Sequence, residues 1–513
     1  MSATNAKFCI VWFKRDLRIA DHEPLAKACA TGLPILPLYI LEPTYWMLPD
    51  VSCRHWHFIY DSLCELQNAL VQKGVPLIIR VGDVTEIFEN LRNQFGKFQL
   101  FSHEETGNGW TYKRDREVAA WCSSHGIFWK EFQSNGVVRK LVNRDLWADL
   151  RNAAMCKLVI ATPQKIYALP SVPTQEIPTK DHLMFGATGI GNVQRGGRAQ
   201  GLSILESFLK ERGRCYMQTI SKPGVSARNC SRLSAHISYG TLSIKEIEQA
   251  TRLKIKQLSQ SRNEFNISFV SNLSAFLSRL AWRCHFVQKL EQQPSIEFSC
   301  MHPAFEGMRE NQFNDRYFRA WQEGKTGYPL VDACMRSLHQ NGWITFRMRA
   351  MLVSFASYHL WLDWRQTAPF MAKLFTDYEP GIHYSQFQMQ SGVTGINAVR
   401  IYNPIKQSID QDPEGTFIKR YVPELGEVSK TWIHESWRNP CPPKDYPKPI
   451  VDLVQATKYA RDQISSHHKT EGFRDDANIV KQKLASRKIT SPKRVFTKKQ
   501  KDVTLSKQRE FKF

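Results

Sequence analysis

The sequence lacks several patterns that would place it in a simple class. No run approaches the ~20 apolar residues that a membrane-spanning helix needs. None of the twelve cysteines belongs to a Cys-x-x-Cys pair, and no two lie closer than 11 residues, so close-paired zinc or iron sites are not expected and buried, reduced thiols are the better interpretation. The N-terminus has no secretory signal. These absences predict a soluble, intracellular protein without a metal site.

Acidic residues are scarce relative to basic ones. The 513-residue chain has 70 Lys and Arg against 48 Asp and Glu, a formal net charge of +22, and such an excess favours phosphate-rich partners. Residues 481–513 alone hold 12 basic and 2 acidic residues, a net charge of +10. This basic tail has few large apolar residues and is predicted to be disordered, either as a solubilising extension or as a nonspecific nucleic-acid arm.

Short apolar runs alternate with helical segments in residues 1–132. No Gly-x-Gly-x-x-Gly follows the first run, so an ordinary dinucleotide site is not expected. The alternation predicts a parallel, Rossmann-like sheet with helices on both faces, which can bind a nucleotide at the carboxyl ends of its strands. The predicted strands are Phe8–Phe13, Pro34–Leu41, Val75–Val81, Phe98–Phe101 and Ile127–Phe132.

The second half of the chain has a helical pattern. We predict an interdomain connector over residues 133–201 and an all-α domain over residues 202–480. Pro329 is suited to the first turn of a helix that Gly342 ends. From Trp343 to Thr367 there is no Gly or Pro, and small and aromatic residues recur at the helical period, which predicts one long helix.

The order of short motifs between Trp321 and Leu425 is distinctive. TGYP, VDACMR, RMRAMLVSF, LDWR, DYEPG, IYNP, DPEG and FIKRYVPEL follow one another there, and this order closely resembles the flavin-binding half of the DNA photolyase and cryptochrome family. VWFKRDLRIADHEPL and HEETGNGWTYKRDREV resemble the antenna domain of that family. The resemblance implies an α/β N-terminal antenna domain, an all-α C-terminal FAD-binding domain, FAD as cofactor and damaged DNA as partner. It leaves open whether a second, light-harvesting chromophore is bound.

The resemblance also assigns residues to the FAD site. In photolyases a tyrosine and a Thr-Ser-Arg-Leu-Ser run hold the diphosphate and ribityl part of FAD, and Cys230 replaces the Thr here. Arg349 and Asp377 match the pair that brackets the isoalloxazine ring, and His383 matches the position facing flavin N5. The alternative interpretation of Arg349 and Asp377 is an ion pair between a helix and a loop that only stabilises the fold. The predicted cofactor-binding residues are Tyr216, Cys230, Ser231, Arg232, Leu233, Ser234, Phe276, Arg283, Arg349, Asp377, Glu379 and His383.

A second group of residues matches the surface that receives DNA. Trp282 lies where a tryptophan stacks on a flipped-out lesion, although a helix tryptophan is otherwise usually core. Arg279 occupies the place of a Glu or Gln that hydrogen-bonds the lesion, and Phe346 and Ala350 replace the histidines of six-four repair enzymes. Six-four repair by its usual acid chemistry is therefore not expected. The predicted DNA-binding residues are Arg279, Trp282, Phe346 and Arg347.

The tryptophan chain that carries electrons to the flavin in photolyases is incomplete here. Trp364 matches the middle member, but Phe387 replaces the member nearest the ring, and the outer position near Asn311 has no tryptophan. The sequence leaves open whether another aromatic residue takes over, the candidates being Tyr384, Trp361 and Tyr402. The predicted catalytic residues are Trp282, Arg349, His383 and Trp364.

Three functions fit these residues. The first is light-driven repair of a pyrimidine dimer by a photolyase-like lyase, favoured by the basic charge, by Trp282 and by the closing DPEGTFIKRYVPEL segment. The second is a cryptochrome-like blue-light photoreceptor, favoured by the altered lesion pocket, by His383 and by the long tail. The third is a DNA-binding flavoprotein without repair activity. The prediction is repair, with the receptor as the alternative.

Overall fold

The computed structural model describes residues 6–185, 191–261 and 263–487. Its N-terminal part is a five-stranded sheet in the order β3-β2-β1-β4-β5, in which every neighbouring pair is parallel. The predicted strands are confirmed, with shifts of up to three residues at their ends. The strands are β1 (Phe8–Phe13), β2 (Ile35–Leu41), β3 (Ile78–Val81), β4 (Phe98–His103) and β5 (Phe128–Phe132).

Helices cover both faces of this sheet, as the alternation predicts. On one face Trp12 packs edge-on against Phe88, and on the other Trp56 stacks on Phe185. Because both faces are buried, β1 is apolar at every position. The helices are α1 (Glu23–Cys29), α2 (Pro43–Trp46), α3 (Cys53–Val71), α4 (Val84–Phe95) and α5 (Gly109–Ser124), and α6 (Trp147–Cys156) follows in the connector.

The rest of the described chain is helical, and the predicted fold class of an α/β domain followed by an all-α domain is confirmed. The domain limits at 132, 201 and 480 stay predictions. The helices are α7 (Arg198–Lys210), α8 (Tyr216–Thr219), α9 (Pro223–Asn229), α10 (Ser234–Ser238), α11 (Ile244–Ser259), α12 (Glu264–Gln292), α13 (Asp315–Glu323), α14 (Pro329–Asn341), α15 (Phe346–Ser354), α16 (Trp364–Leu374), α17 (Pro380–Ser391), α18 (Pro404–Gln411), α19 (Thr416–Tyr421), α20 (Leu453–His467) and α21 (Phe473–Leu484).

Helix α12 is the longest element, with 29 residues. Asn263 starts it by accepting a hydrogen bond from the Asn266 N–H at 2.8 Å. Helix α17 packs closely against it, because a Cβ on Gly381 would lie 2.6 Å from the Cα of Val287. Glycine at this position lets the two helices approach each other, and their contact sets the distance between the side chains of α12 and the start of α17.

The single long helix predicted over Trp343–Thr367 is wrong. Helix α15 starts at Phe346, a π-helical turn follows at Phe355–His359, and Trp361 has a φ of +53° before α16 starts. Asp363 caps α16 through the Arg365 N–H at 3.0 Å. The break therefore arises from an inserted residue in the helical ladder and from a side-chain cap, neither of which needs Gly or Pro.

Two predictions concern chain ends and membranes. The basic tail over 481–513 falls largely outside the described residues, which end at Arg487, but its first four residues are the helical end of α21 and not disordered as predicted. Among the helices of the described chain, none combines the length and the apolar character needed to cross a bilayer.

Candidate functional site

The predicted ring-bracketing pair is present as an ion pair between α15 and the loop before α17. Nη2 of Arg349 donates to Oδ2 of Asp377 at 2.9 Å. The arginine is held further by its Nε bond to the Ile344 carbonyl at 3.0 Å and by its position 4.0 Å from the Phe375 ring centre. Burial alone would raise the pKa of Asp377, but the charge and hydrogen bond of Arg349 lower it below its usual value. A carboxylate and a fixed guanidinium therefore lie side by side here.

A second ion pair joins α12 to the same loop and to the sheet domain. Arg283 donates to Oε2 of Glu379 at 2.5 Å, and Arg15, which follows β1, approaches the same oxygen at 3.4 Å. Arg15 also donates to the carbonyls of Ser238 and Tyr378, each at 3.0 Å. The carboxyl end of β1 thus reaches directly into the helical domain beside the predicted cofactor residues.

The predicted diphosphate segment, Cys230 to Ser234, is the turn between α9 and α10. Arg232 adopts a positive φ of 61°, and its guanidinium lies 4.1 Å from the Trp343 ring centre. Burial, together with the Arg349 charge, lowers the pKa of Arg232 to about 10. Among the described residues no carboxylate forms an ion pair with it, and it borders a cavity of about 390 Å³. A half-buried cation without a carboxylate partner suits a phosphate group.

Tyr216 and Phe276 lie in one buried cluster with Cys230 and Leu233. The rings of Tyr216 and Phe276 meet edge to face with centres 6.0 Å apart. Burial raises the pKa of the Cys230 thiol to about 12, so it stays protonated. Ser231 Oγ accepts the Leu233 N–H at 3.4 Å, and Ser234 is the first residue of α10. Tyr216, Phe276, Cys230 and Leu233 thus form an apolar cluster next to the Arg232 side chain.

His383 lies on α17 in an aromatic pocket. Its Nε2–H donates to the Ala368 carbonyl at 2.8 Å, and Phe387 lies 4.6 Å away, centre to centre. Burial lowers the pKa of His383 to about 3. The ring is therefore neutral at physiological pH, and its Nδ1, which has no hydrogen-bond partner among the described residues, can only accept.

Two buried carboxylate oxygens, on Asp377 and Glu379, show whether the predicted cofactor residues fit FAD. Oδ1 of Asp377 and Oε1 of Glu379 are buried and accept no hydrogen bond from the described part of the protein. Buried polar atoms are rarely left unpaired in native proteins, so these oxygens indicate donors supplied by a ligand. The hydroxyl, amide and imide groups of FAD would provide such donors, and the Arg232 turn would hold its diphosphate. The residues present fit the cofactor.

The predicted DNA-binding residues lie within one helical turn of cofactor residues on α12 and α15. Arg279 is exposed and its guanidinium lies 4.8 Å from the Trp282 ring centre. Phe346 is 47% exposed at the start of α15, and the neighbouring Arg347 donates to Gln407 at 3.4 Å. A cation beside a partly exposed aromatic ring, as for Arg279 and Trp282, is the pairing found where proteins stack on bases. We refer to Arg279, Trp282, Phe346 and Arg347 as the aromatic–basic rim.

Trp364 is separated from this group. It is 1% exposed in the large core of the helical domain, where Arg365 lies over its ring at 4.9 Å. Its predicted role in electron transfer stays a prediction. Trp361, one of the alternative carriers, contacts the exposed Tyr459 with ring centres 5.2 Å apart.

The carboxyl edge of the parallel sheet carries a dense polar network rather than a wide cavity. The space there, beside Lys14, Asp16 and His103, measures about 40 Å³. Asp16, His22 and His103 form a cluster with the spacing of metal ligands, but Nδ1 of His22 accepts the Leu25 N–H at 3.1 Å. Nε2 of His22 must therefore carry the proton that it donates to Asp16 at 2.9 Å, and it has no lone pair for a metal. A second chromophore in this domain stays a prediction.

Sequence reasoning missed three residues of the site. Arg15 contacts Glu379, Trp343 stacks on Arg232, and Gln194 accepts from Arg232 at 3.3 Å. Arg15 follows the first strand directly, and the rule that ligand sites lie at the carboxyl ends of parallel strands is the one signal that indicates it. Trp343 lies inside the motif-bearing stretch from Trp321 to Leu425 but was assigned no role there, and Gln194 lies in the predicted connector.

The fold and the site together define a two-domain flavin-binding protein. Residues 276–466 match the family model of the FAD-binding domain of DNA photolyase, and residues 9–141 match that of DNA photolyase. The chain belongs to the DNA photolyase and cryptochrome family.

Three relatives show how far the likeness extends. A deoxyribodipyrimidine photo-lyase of Vibrio cholerae is 29% identical, over 87% of this chain and 97% of its own. A cryptochrome DASH of Gloeobacter violaceus is 26% identical, over 88% of this chain and 94% of its own. The crystal structure of a class III photolyase from Agrobacterium tumefaciens superposes with a TM-score of 0.77 at 25% identity, covering 91% of this chain and 99% of the other.

Proposed function

We propose that this chain is a light-driven DNA repair flavoprotein, a photolyase-like lyase that acts on a flipped-out pyrimidine dimer. When bound and reduced, FAD supplies the photoexcited electron that splits the dimer. The chain's own residues bind the cofactor, exclude water from it and present the lesion to it.

One observation carries the proposal: two helices each bear a cofactor residue and a rim residue one turn apart. On α12, Arg283 follows Arg279 by four residues, and on α15, Arg349 follows Phe346 by three. Side chains at these spacings lie about 5–6 Å apart on the same face of a helix. A base stacked at the rim is thereby held close to whatever the arginine pair holds, which electron transfer to a flipped-out base requires.

Each of these side chains has a role in this arrangement. Arg349 places a fixed positive charge beside the cofactor site and would stabilise negative charge on a reduced ring. Asp377 keeps that arginine in position, and neutral His383 offers Nδ1 as an acceptor. Trp282 supplies a stacking face, and Arg279 a cation next to it.

The test uses flavin-loaded, reduced protein and an oligonucleotide with one cyclobutane dimer, incubated in blue light and in darkness. Restoration of the undamaged bases in light alone is the expected result. Restoration in neither condition, with FAD bound and photoreducible, would refute the repair proposal and show that Arg279 and Phe346 do not serve a dimer pocket.

A cryptochrome-like photoreceptor is the second candidate. His383 favours it: the family resemblance assigns this residue to the position facing flavin N5, and its neutral imidazole can accept but not donate a hydrogen bond at Nδ1. A light-dependent change in protease protection of the C-terminal tail, without dimer repair, would support the receptor over repair.

A further inference from the structure

A cavity of about 460 Å³ lies far from the flavin and DNA residues, between the connector, the C-terminal end of α12 and the end of α21. Its volume is in the range of small-molecule sites. We refer to it as the basic cavity and define it by Lys140, Arg144, Glu291, Gln292, Lys483 and Arg487.

The charges around the basic cavity do not balance. Four of its lining residues are cationic, and Glu291 is the one acidic residue of the described lining, although Asp145, just outside it, pairs with Arg487. Glu291 is already engaged, because it accepts from the Tyr112 hydroxyl and lies 3.4 Å from Nε of Arg139. Both of these partners of Glu291 lie outside the described lining of the cavity.

Arg144 is the buried centre of the lining. It is 6% exposed, lies 4.7 Å from the Trp147 ring centre and donates to Oε1 of Gln292 at 3.1 Å and to Nδ1 of His285 at 2.6 Å. Both acceptors are neutral, and no carboxylate of the described chain pairs with it. Burial and the charge of Arg487 lower the pKa of Arg144 to about 10.

A second buried cation, Lys289, lies close enough to Arg144 for the two charges to interact. Lys289 is 5% exposed, and among the described residues its ammonium has neither a hydrogen-bond nor an ion-pair partner. Burial and the charge of Arg144 lower its pKa to about 8. Buried charges are normally paired, so an isolated group of this kind is costly unless an anion approaches it.

Arg18, Arg54 and Arg309 are also buried and form no ion pair with a carboxylate of the described chain, but two other buried arginines show a contrast with Arg144. Arg151 is paired with Glu248, and Arg114 is paired with Glu42, Glu105 and Asp115. In those places the chain supplies its own carboxylates. Around Arg144 it supplies amides, an imidazole and further cations instead.

We propose that the basic cavity binds a ligand with adjacent phosphate groups, such as inorganic pyrophosphate or the polyphosphate of a nucleotide. Arginine, lysine and amide donors without a free carboxylate are the set that such an anion needs. The site is separate from the proposed repair chemistry. Gln292 lies 13 residues beyond Arg279 on one helix, which is about 20 Å at 1.5 Å per residue.

The experiment titrates flavin-loaded protein with inorganic pyrophosphate and, in a second arm, with ATP, using isothermal calorimetry. The variant is Lys140→Gln with Lys483→Gln, two exposed side chains whose replacement leaves the buried Arg144 intact. The control is Lys256→Gln, an exposed lysine of α11 outside the cavity. Holoprotein and control should bind one equivalent of pyrophosphate, and the double variant should bind at least about tenfold more weakly, with added salt weakening both.

The two arms separate the sources of the phosphate groups. Tighter binding of ATP than of pyrophosphate assigns the cavity to a nucleotide, and equal binding assigns it to the free polyphosphate. No heat with either ligand, or equal affinity in the double variant and the holoprotein, overturns the proposal. Loss of undamaged duplex DNA binding in the double variant, without binding of either small ligand, would overturn it as well and assign the surface to the DNA backbone.

Discussion

Replacing Asp377 by Asn tests the buried ion pair beside the cofactor site. Asn keeps the shape of the side chain but leaves the Arg349 guanidinium without its carboxylate, while the bond to the Ile344 carbonyl and the contact with Phe375 hold it in place. Arg232, a second cation, contributes to the same field. Removing one partner of a buried pair costs about 3–5 kcal/mol, and the 24% exposure of the Arg349 side chain favours about 3 kcal/mol, the lower end of that range.

The measurement is chemical unfolding of the Asp377→Asn protein, together with the FAD content after purification. Both the unfolding free energy and the flavin retention should fall. The matched control is Asp410→Asn, which breaks the exposed Lys406–Asp410 pair on α18 and should change the free energy by less than about 1 kcal/mol. Wild-type stability and wild-type flavin content in Asp377→Asn would refute the reasoning.

The pH dependence of the same variant provides an independent check. Because the pKa of Asp377 is lowered in the folded protein, its stabilisation is present above the unfolded-state pKa and lost as pH falls through the folded value. The difference in unfolding free energy between the wild type and Asp377→Asn should therefore be constant near neutral pH and narrow below about pH 4. A difference that widens on acidification would contradict the assignment of the charge to Asp377.

Three further predictions concern single side chains. In a fluorescence titration, Trp282→Ala should bind dimer-containing DNA about 1–3 kcal/mol more weakly than the wild type, without loss of FAD. Trp282→Phe should retain part of the affinity, and equal affinity in the wild type and both variants would contradict stacking. Since the pKa of His383 is about 3, the flavin spectrum should stay constant from about pH 5 to about pH 8, and a transition in that window that disappears in His383→Asn would contradict it. Cys230, whose pKa burial raises to about 12, should resist alkylation of the native protein, and mass spectrometry should find label on the exposed thiols, which are Cys156, Cys215 and Cys441.

Local sequence signals determined most of the fold. Helix α14 begins at Pro329 and ends before Gly342 as predicted, with Gly342 at a φ of +64°. Proline fixes φ near its helical value and glycine tolerates a positive φ, so these two residues mark helix ends from local sequence alone. The break after α15 was not predicted, since its causes are a π-helical turn and a side-chain cap. Thr345 and Asp363, which cap α15 and α16, were the sequence signals for two separate helices. The prediction of one long helix followed the periodicity of the apolar residues and ignored these two caps.

The candidate site was predictable only where a motif carried it. Arg349 and Asp377, 28 residues apart, were assigned through the family resemblance, and the structure brings them within hydrogen-bond distance. The residues that sequence reasoning missed act through tertiary contacts. Arg15 reaches Glu379 across 364 positions of the chain, and no local pattern encodes a contact of that range.

The same limit explains why the basic cavity has no sequence signature. Its cations come from the connector and from the end of α21, and Gln292 comes from α12, so no segment of the sequence shows more than two of them together. A motif search finds sites that one loop or helix builds, whereas an uncompensated charge is a property of the folded surroundings. Helix α12 illustrates both cases. Its middle carries the motif-encoded Arg279, Trp282 and Arg283, while Lys289, near its end, has no hydrogen-bond or ion-pair partner among the described residues and only lies over the Phe286 ring. The lack, in the described chain, of a carboxylate paired with the buried Arg144, rather than the presence of any sequence pattern, is what indicates an anion there.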